Sequence, residues 1–72
     1  MKDQNLQLGE YEHYKGIRCR VVGIAKHSET LEELVVYQKI ENGEMWVRPL
    51  SMFVENVEVN GKTVPRFRYL GK

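Results

Sequence analysis

Two Asn-Gly pairs, Asn42-Gly43 and Asn60-Gly61, limit what this chain can fold into more than any other feature. Both residue types tolerate positive φ, and the pair set between β-branched and aromatic runs is the strongest short-range signal for a tight hairpin. The runs are present. Leu34-Val35-Val36-Tyr37-Gln38-Lys39-Ile40 leads into the first pair and Met45-Trp46-Val47-Arg48 leads out, with Pro49 ending the row of backbone donors. Val57-Glu58-Val59 leads into the second pair, and Thr63-Val64 and Pro65-Arg66-Phe67-Arg68-Tyr69 follow it. Upstream, Ile17, Cys19 and Val21 alternate with Arg18 and Arg20, the period-two pattern of a half-buried strand. Val22-Gly23-Ile24-Ala25 then breaks the alternation, and a glycine there predicts a bulge or bend. Tyr11-Glu12-His13-Tyr14 suits a strand or an extended loop. His27 to Glu33 reads as a loop with room for one 3₁₀ turn, and Ser51-Met52-Phe53 as a single turn.

These segments predict an all-β fold of about five or six short antiparallel strands with at most one or two single helical turns. Small sheets of this kind manage their edges by curling, so the expected architecture is an SH3-like, partly open barrel, with an open meander sheet as the alternative. One domain is expected over 9–70, after a flexible N-terminus over 1–8. Its 72 residues contain a single cysteine, Cys19, and no Cys/His set with zinc spacing, so neither a disulfide nor a structural metal is expected. Apolar packing must hold the core. Seven aromatics, Tyr11, Tyr14, Tyr37, Trp46, Phe53, Phe67 and Tyr69, are its expected bulk. No apolar run approaches the ~18–20 residues of a membrane span, and the polar start does not read as a signal peptide. A lone cysteine without an export signal points to the cytoplasm.

Several motifs in fixed order carry a family resemblance. They are Gly9-x-Tyr11-x-His13-Tyr14-Lys15-Gly16, Ala25-x-His27-Ser28-Glu29-Thr30, Val35-Val36-Tyr37-Gln38, Trp46-Val47-Arg48-Pro49 with Phe53, and Pro65-Arg66-Phe67. On these the chain resembles the small bacterial family known as domain of unknown function 1653, from about Gly9 to Tyr69. It departs from that pattern at Cys19, where an aromatic is expected, and in a shorter hairpin between Gln38 and Trp46. The resemblance implies a stand-alone bacterial domain and brings no activity with it.

The functional candidates are therefore read from residue chemistry. The quartet His27-Ser28-Glu29-Thr30 has the composition of a nucleophilic site, but three sequential side chains diverge, and no nucleophile elbow is present. Loop closure by Ser28, Thr30 and His27 competes with a binding role. Trp46, Arg48 and Arg66 could form an aromatic and basic groove. Arg18 and Arg20 share one strand face and Arg68 lies on another, which suggests a basic patch, although glutamates such as Glu10, Glu12 and Glu58 are available as cross-strand partners. The net charge of +1 argues against strong nonspecific nucleic-acid binding. The leading expectation is a non-catalytic module recognising an anionic ligand, nucleic acid or a protein segment, with no cofactor. One alternative is a small enzyme using His27 with Glu29 or Glu33 as acid/base and Arg48 or Arg66 as an anion clamp. Another is a homodimer built by edge-strand pairing, so the expected state is monomer or weak homodimer.

Overall fold

The computed structural model describes residues 6–72. Four strands run as a meander: β1 (Gly9–His13), β2 (Arg18–Lys26), β3 (Glu33–Lys39) and β4 (Met45–Pro49). The helical turn α1 (Leu50–Phe53) follows, then the hairpin β5 (Asn56–Val59) and β6 (Lys62–Pro65), and last β7 (Phe67–Gly71). The main antiparallel sheet has the order β4-β3-β2-β1-β7, and β5-β6 forms a second, two-stranded sheet. The expectation of a single stretch from Pro65 to Tyr69 is corrected by a bend at Arg66. There the chain leaves one sheet for the other: the Arg66 amide donates to the Glu55 carbonyl, and its carbonyl accepts from Tyr14.

The glycine in the second strand is a bulge. Val21 faces Tyr37 and Gly23 faces Val36, so Val22 is the extra residue, after which β2 continues to Lys26. That bend helps curl the sheet. β4 and β7 are its two edges, separated by four strand spacings, or about 19 Å if the sheet were flat. Yet the Arg48 guanidinium on β4 lies 5.5 Å from the centre of the Phe67 ring on β7. Among the described residues no ladder joins these edges, so the curled sheet stays open, as the all-β, partly open expectation allows. Side chains fill the seam where a closing ladder would run.

The core sits inside the curl. Tyr11, Cys19, Val21, Val35, Tyr37, Phe53 and Phe67 are buried, with Leu6, Leu50 and Tyr69 packed against them. Phe53 stacks on Phe67 at 4.0 Å and meets Tyr11 edge-on at 5.3 Å, which lets one helical turn plug the open end of the sheet. Tyr14 and Trp46, expected in the core, are instead 39% and 45% exposed. The flexible N-terminus expected over 1–8 lies outside the described residues for 1–5. Beyond that, Leu6 packs on the core and the Gln7 carbonyl accepts a bond from the Tyr11 hydroxyl.

The two Asn-Gly pairs behave differently. Asn60 and Gly61 both have positive φ, 52° and 78°, and form a two-residue turn between Val59 and Lys62. At the first pair only Gly43 does, with φ 75°, inside a four-residue loop closed by Lys39 N–H to the Glu44 carbonyl and Gly43 N–H to the Lys39 carbonyl. The loop after β2 repeats this geometry, with His27 bonded to Glu32 and Leu31 bonded to His27. Leu31 therefore occupies the left-handed position that glycine fills in its counterpart, with φ 63°, and its side chain is 66% exposed. A left-handed L-residue costs about 1–2 kcal/mol, whereas the extra unfolded-state entropy of glycine costs about 0.4–1 kcal/mol. Leu31→Gly is expected to stabilise the domain by about 0.5–1 kcal/mol, read as a rise of several degrees in thermal midpoint. A fall would show that the Leu31 side chain makes contacts that matter.

Candidate functional site

Period-two alternation sends one set of side chains to the concave face of the curled sheet. Register fixes which ones: Tyr11 faces Cys19, Cys19 faces Lys39, Tyr37 faces Trp46, and Val35 faces Arg48. The deeper members form the core, and those toward one end leave a cavity of about 140 Å³. It is lined by His13, Ile17, Cys19, Tyr37, Lys39, Trp46, Arg48 and Phe67. The volume is close to that of an apolar cavity of about 150 Å³ that accommodates one benzene ring.

Aromatic rings and cations make up most of this wall. Lys39 Nζ sits 4.8 Å above the Trp46 ring, and His13 meets Phe67 edge-on at 4.9 Å. Arg48 lies against Phe67 with its Nε buried and without a hydrogen-bond partner. Among the described residues no carboxylate lines the cavity. The electrostatic result appears at His13, whose pKa is lowered from 6.5, first by burial and then by the positive charges of Arg48, Arg66 and Lys15. Cys19, on the cavity floor, is pushed up to about 11 by burial despite the opposing influence of Arg48, which favours its thiol form at neutral pH.

The other arginines differ. Arg20 pairs with Glu10 at 2.9 Å and Arg68 with Glu12 at 2.6 Å, both on the outer face. Glu12 stands between Arg18 on one neighbouring strand and Arg68 on the other. Arg18, Arg20 and Arg68 thus share a face, but glutamates interleave them, and the basic patch expected there is largely neutralised. Such exposed pairs are worth about 0–1 kcal/mol each, so they decide charge rather than stability. Arg66 lies apart from them, in the bend before β7, with Glu55 at 3.5 Å.

The quartet His27-Ser28-Glu29-Thr30 does not line the cavity. It occupies the loop beyond the Lys26–Glu33 pair, seven strand residues past Cys19, and His27 itself is three residues past Ile24, which shares a row with Val35 and Arg48. His27 Nδ1 accepts from the Glu29 and Thr30 amides, and Thr30 Oγ1 accepts from the Glu32 amide. These side chains close their own loop. His27 is not among the residues that line the cavities at Arg48, at Pro65 or at Leu50.

Of the sequence candidates, Trp46 and Arg48 come together, joined by His13, Lys39, Tyr37 and Phe67. The signal for Lys39 lay in its parity with Tyr37, two residues back on the same strand face. His13 was already part of the aromatic motif after Gly9.

The comparisons with known proteins bear on this whole arrangement. A family model described as a protein of unknown function, DUF1653, matches residues 9–69. The chain belongs to this family. A solved structure, described as the crystal structure of a protein belonging to DUF1653 from Bordetella bronchiseptica, matches with a TM-score of 0.87 and 34% identity. The match covers 93% of this chain and 90% of that one. The comparison with curated proteins finds no match. Among the described residues of this DUF1653 chain, no helix is long and apolar enough to cross a membrane, and no cluster of His, Cys, Asp and Glu is arranged to hold a metal ion.

Proposed function

We propose that this DUF1653 domain is a non-catalytic binding module whose concave cavity takes an anionic group carried on a small planar or apolar body. One observation carries the reading. Arg48 is half-buried among aromatic rings with no carboxylate partner among the described residues, whereas Arg20, Arg66 and Arg68 each have one.

A guanidinium held in apolar surroundings gives up hydration and gains little in return, and a bound carboxylate or phosphate restores the lost hydrogen bonds. Partial exclusion of water strengthens that attraction, while Lys39 extends the positive potential across the mouth. Trp46, Tyr37 and Phe67 supply the apolar walls for a ring-sized body. Benzoate is the simplest molecule with both features. The reading is tested by titrating the protein with benzoate while following the fluorescence of Trp46, its only tryptophan. Saturable quenching supports it, and an unchanged emission spectrum up to solubility-limited benzoate removes it.

The same site makes a pH prediction. A histidine whose folded pKa is lowered binds fewer protons when folded than when unfolded. Stability should therefore fall as pH drops below the unfolded value of about 6.5. A bound anion opposes the positive charges that depress His13, so its NMR titration midpoint should lie below 6.5 in the free protein and move upward with benzoate. A midpoint that does not move would place the anion elsewhere.

A further inference from the structure

Trp46 and Arg48 of β4 line the cavity, and among the described residues the outer edge of β4 is unpaired. Its backbone polarity can be read from the neighbouring loop. Lys39 N–H bonds to the Glu44 carbonyl, and in an antiparallel ladder such bonded pairs alternate. Trp46 and Arg48 therefore turn their backbone groups toward β3, while those of Met45 and Val47 face outward. Pro49 ends the row. The side chains along this edge are unusually apolar for an exposed strand: Met45 is 56% exposed, Trp46 45% and Val47 56%.

Resting on the anion-site reading above, we infer that the β4 edge receives an extended, acidic peptide segment as an added strand, with one carboxylate of that segment on Arg48. Directly opposed side chains on neighbouring strands lie about 4.5–5.5 Å apart at Cβ. An acidic residue opposite Arg48 would point to the concave side and reach its guanidinium. The next residue along would fall opposite Val47 on the outer face, and the one after it opposite Trp46. The recognised pattern is therefore acidic, β-branched, then aromatic or apolar. Backbone bonds to Met45 and Val47 supply affinity, and the cavity supplies the selection.

Charge separates this occupant from two others. A second copy of the chain pairing through β4 would bring another Lys39 and Arg48 into a mouth with no carboxylate on its wall among the described residues. A nucleic acid needs many phosphate contacts, and the outer-face arginines Arg20 and Arg68 are already taken by Glu10 and Glu12.

The test uses the full chain and a blocked peptide with glutamate, valine, tyrosine and valine in succession, followed through Trp46 emission and backbone amide shifts. Binding is expected with shifts at Met45 and Val47. Glutamate→glutamine in the peptide should weaken it about tenfold or more, as should N-methylation of the amide that bonds to the edge, each removing about one hydrogen bond's worth of affinity. If the glutamine change weakens binding but N-methylation does not, strand addition is wrong while the anion site stands. If benzoate binds and the peptide does not, the result is the same. If neither moves Trp46, both readings fall. Tighter binding of an oligothymidine than of the peptide, or a dimer in sedimentation that protects the Met45 and Val47 amides, would overturn the peptide in favour of those occupants.

Discussion

Phe53→Ala is expected to remove a large share of the domain's stability and leave it only marginally folded at room temperature. Truncating a buried Phe costs about 3–5 kcal/mol, and a chain of 72 residues has a total stability on the order of 4–11 kcal/mol. Phe53 is 1% exposed and stacks within 6° of parallel on Phe67, while also contacting Tyr11 and Tyr37. It joins strands that are not neighbours in the sheet, so its loss weakens the coupling of β3 to β1 and β7, although Tyr37 still meets Phe67 directly at 5.7 Å. The four-residue α1 that carries it cannot persist without this anchor. Near-ultraviolet circular dichroism and denaturant titration would measure the effect. Phe53→Leu, which keeps much of the volume, should cost only a fraction as much. A loss below about 1 kcal/mol for Phe53→Ala would mean that the sheet holds its curl without the plug.

Arg48→Met is expected to abolish measurable benzoate binding with the fold intact. A hydrogen bond to a charged group is worth about 1.5–3 kcal/mol, or about tenfold to a hundredfold in affinity. Methionine preserves the apolar stem that lies on Phe67 and removes a buried Nε that has no partner, so stability should be unchanged or slightly higher. Arg48→Lys keeps the charge without the planar fork and should fall between the two. Arg68→Met removes a cation from the outer face and should leave benzoate affinity as it was. Equal losses from Arg48→Met and Arg68→Met would show that benzoate responds only to net charge.

The strands could be read from the sequence because alternation and glycine placement act locally. The Ile17-Cys19-Val21 pattern, the bulge at Gly23 and the turn at Asn60-Gly61 are set by residues within a few positions. The longer loop at Asn42-Gly43 has a cause in the flanks. A two-residue turn there would set Glu41 opposite Glu44, two like charges face to face, whereas Val59 and Lys62 flank the other pair without conflict. In the four-residue loop the Asn42 side chain accepts from the Glu44 amide, and Gln38 bonds to the Gly43 carbonyl.

What was not legible depended on long-range register. Glu12 could be named from the sequence as a partner for the arginines, but that it meets Arg18 and Arg68 together depends on β1 lying between β2 and β7. The same curl brings Arg48 to Phe67 and turns two candidates, Trp46 and Arg48, into a cavity wall. The His27 quartet is a local case: His27 and Thr30 accept bonds from their own loop amides, the closure that the sequence offered beside a binding role.

The central claim is that the cavity around Arg48 is the anion site, and the side-chain Nε–Hε resonance of Arg48 reports on it most directly. With benzoate added to the full chain, that resonance should shift and saturate together with the indole signal of Trp46, while those of Arg18, Arg20 and Arg68 stay in place. Shifts confined to the outer-face arginines, with Arg48 unmoved at saturation, would contradict it.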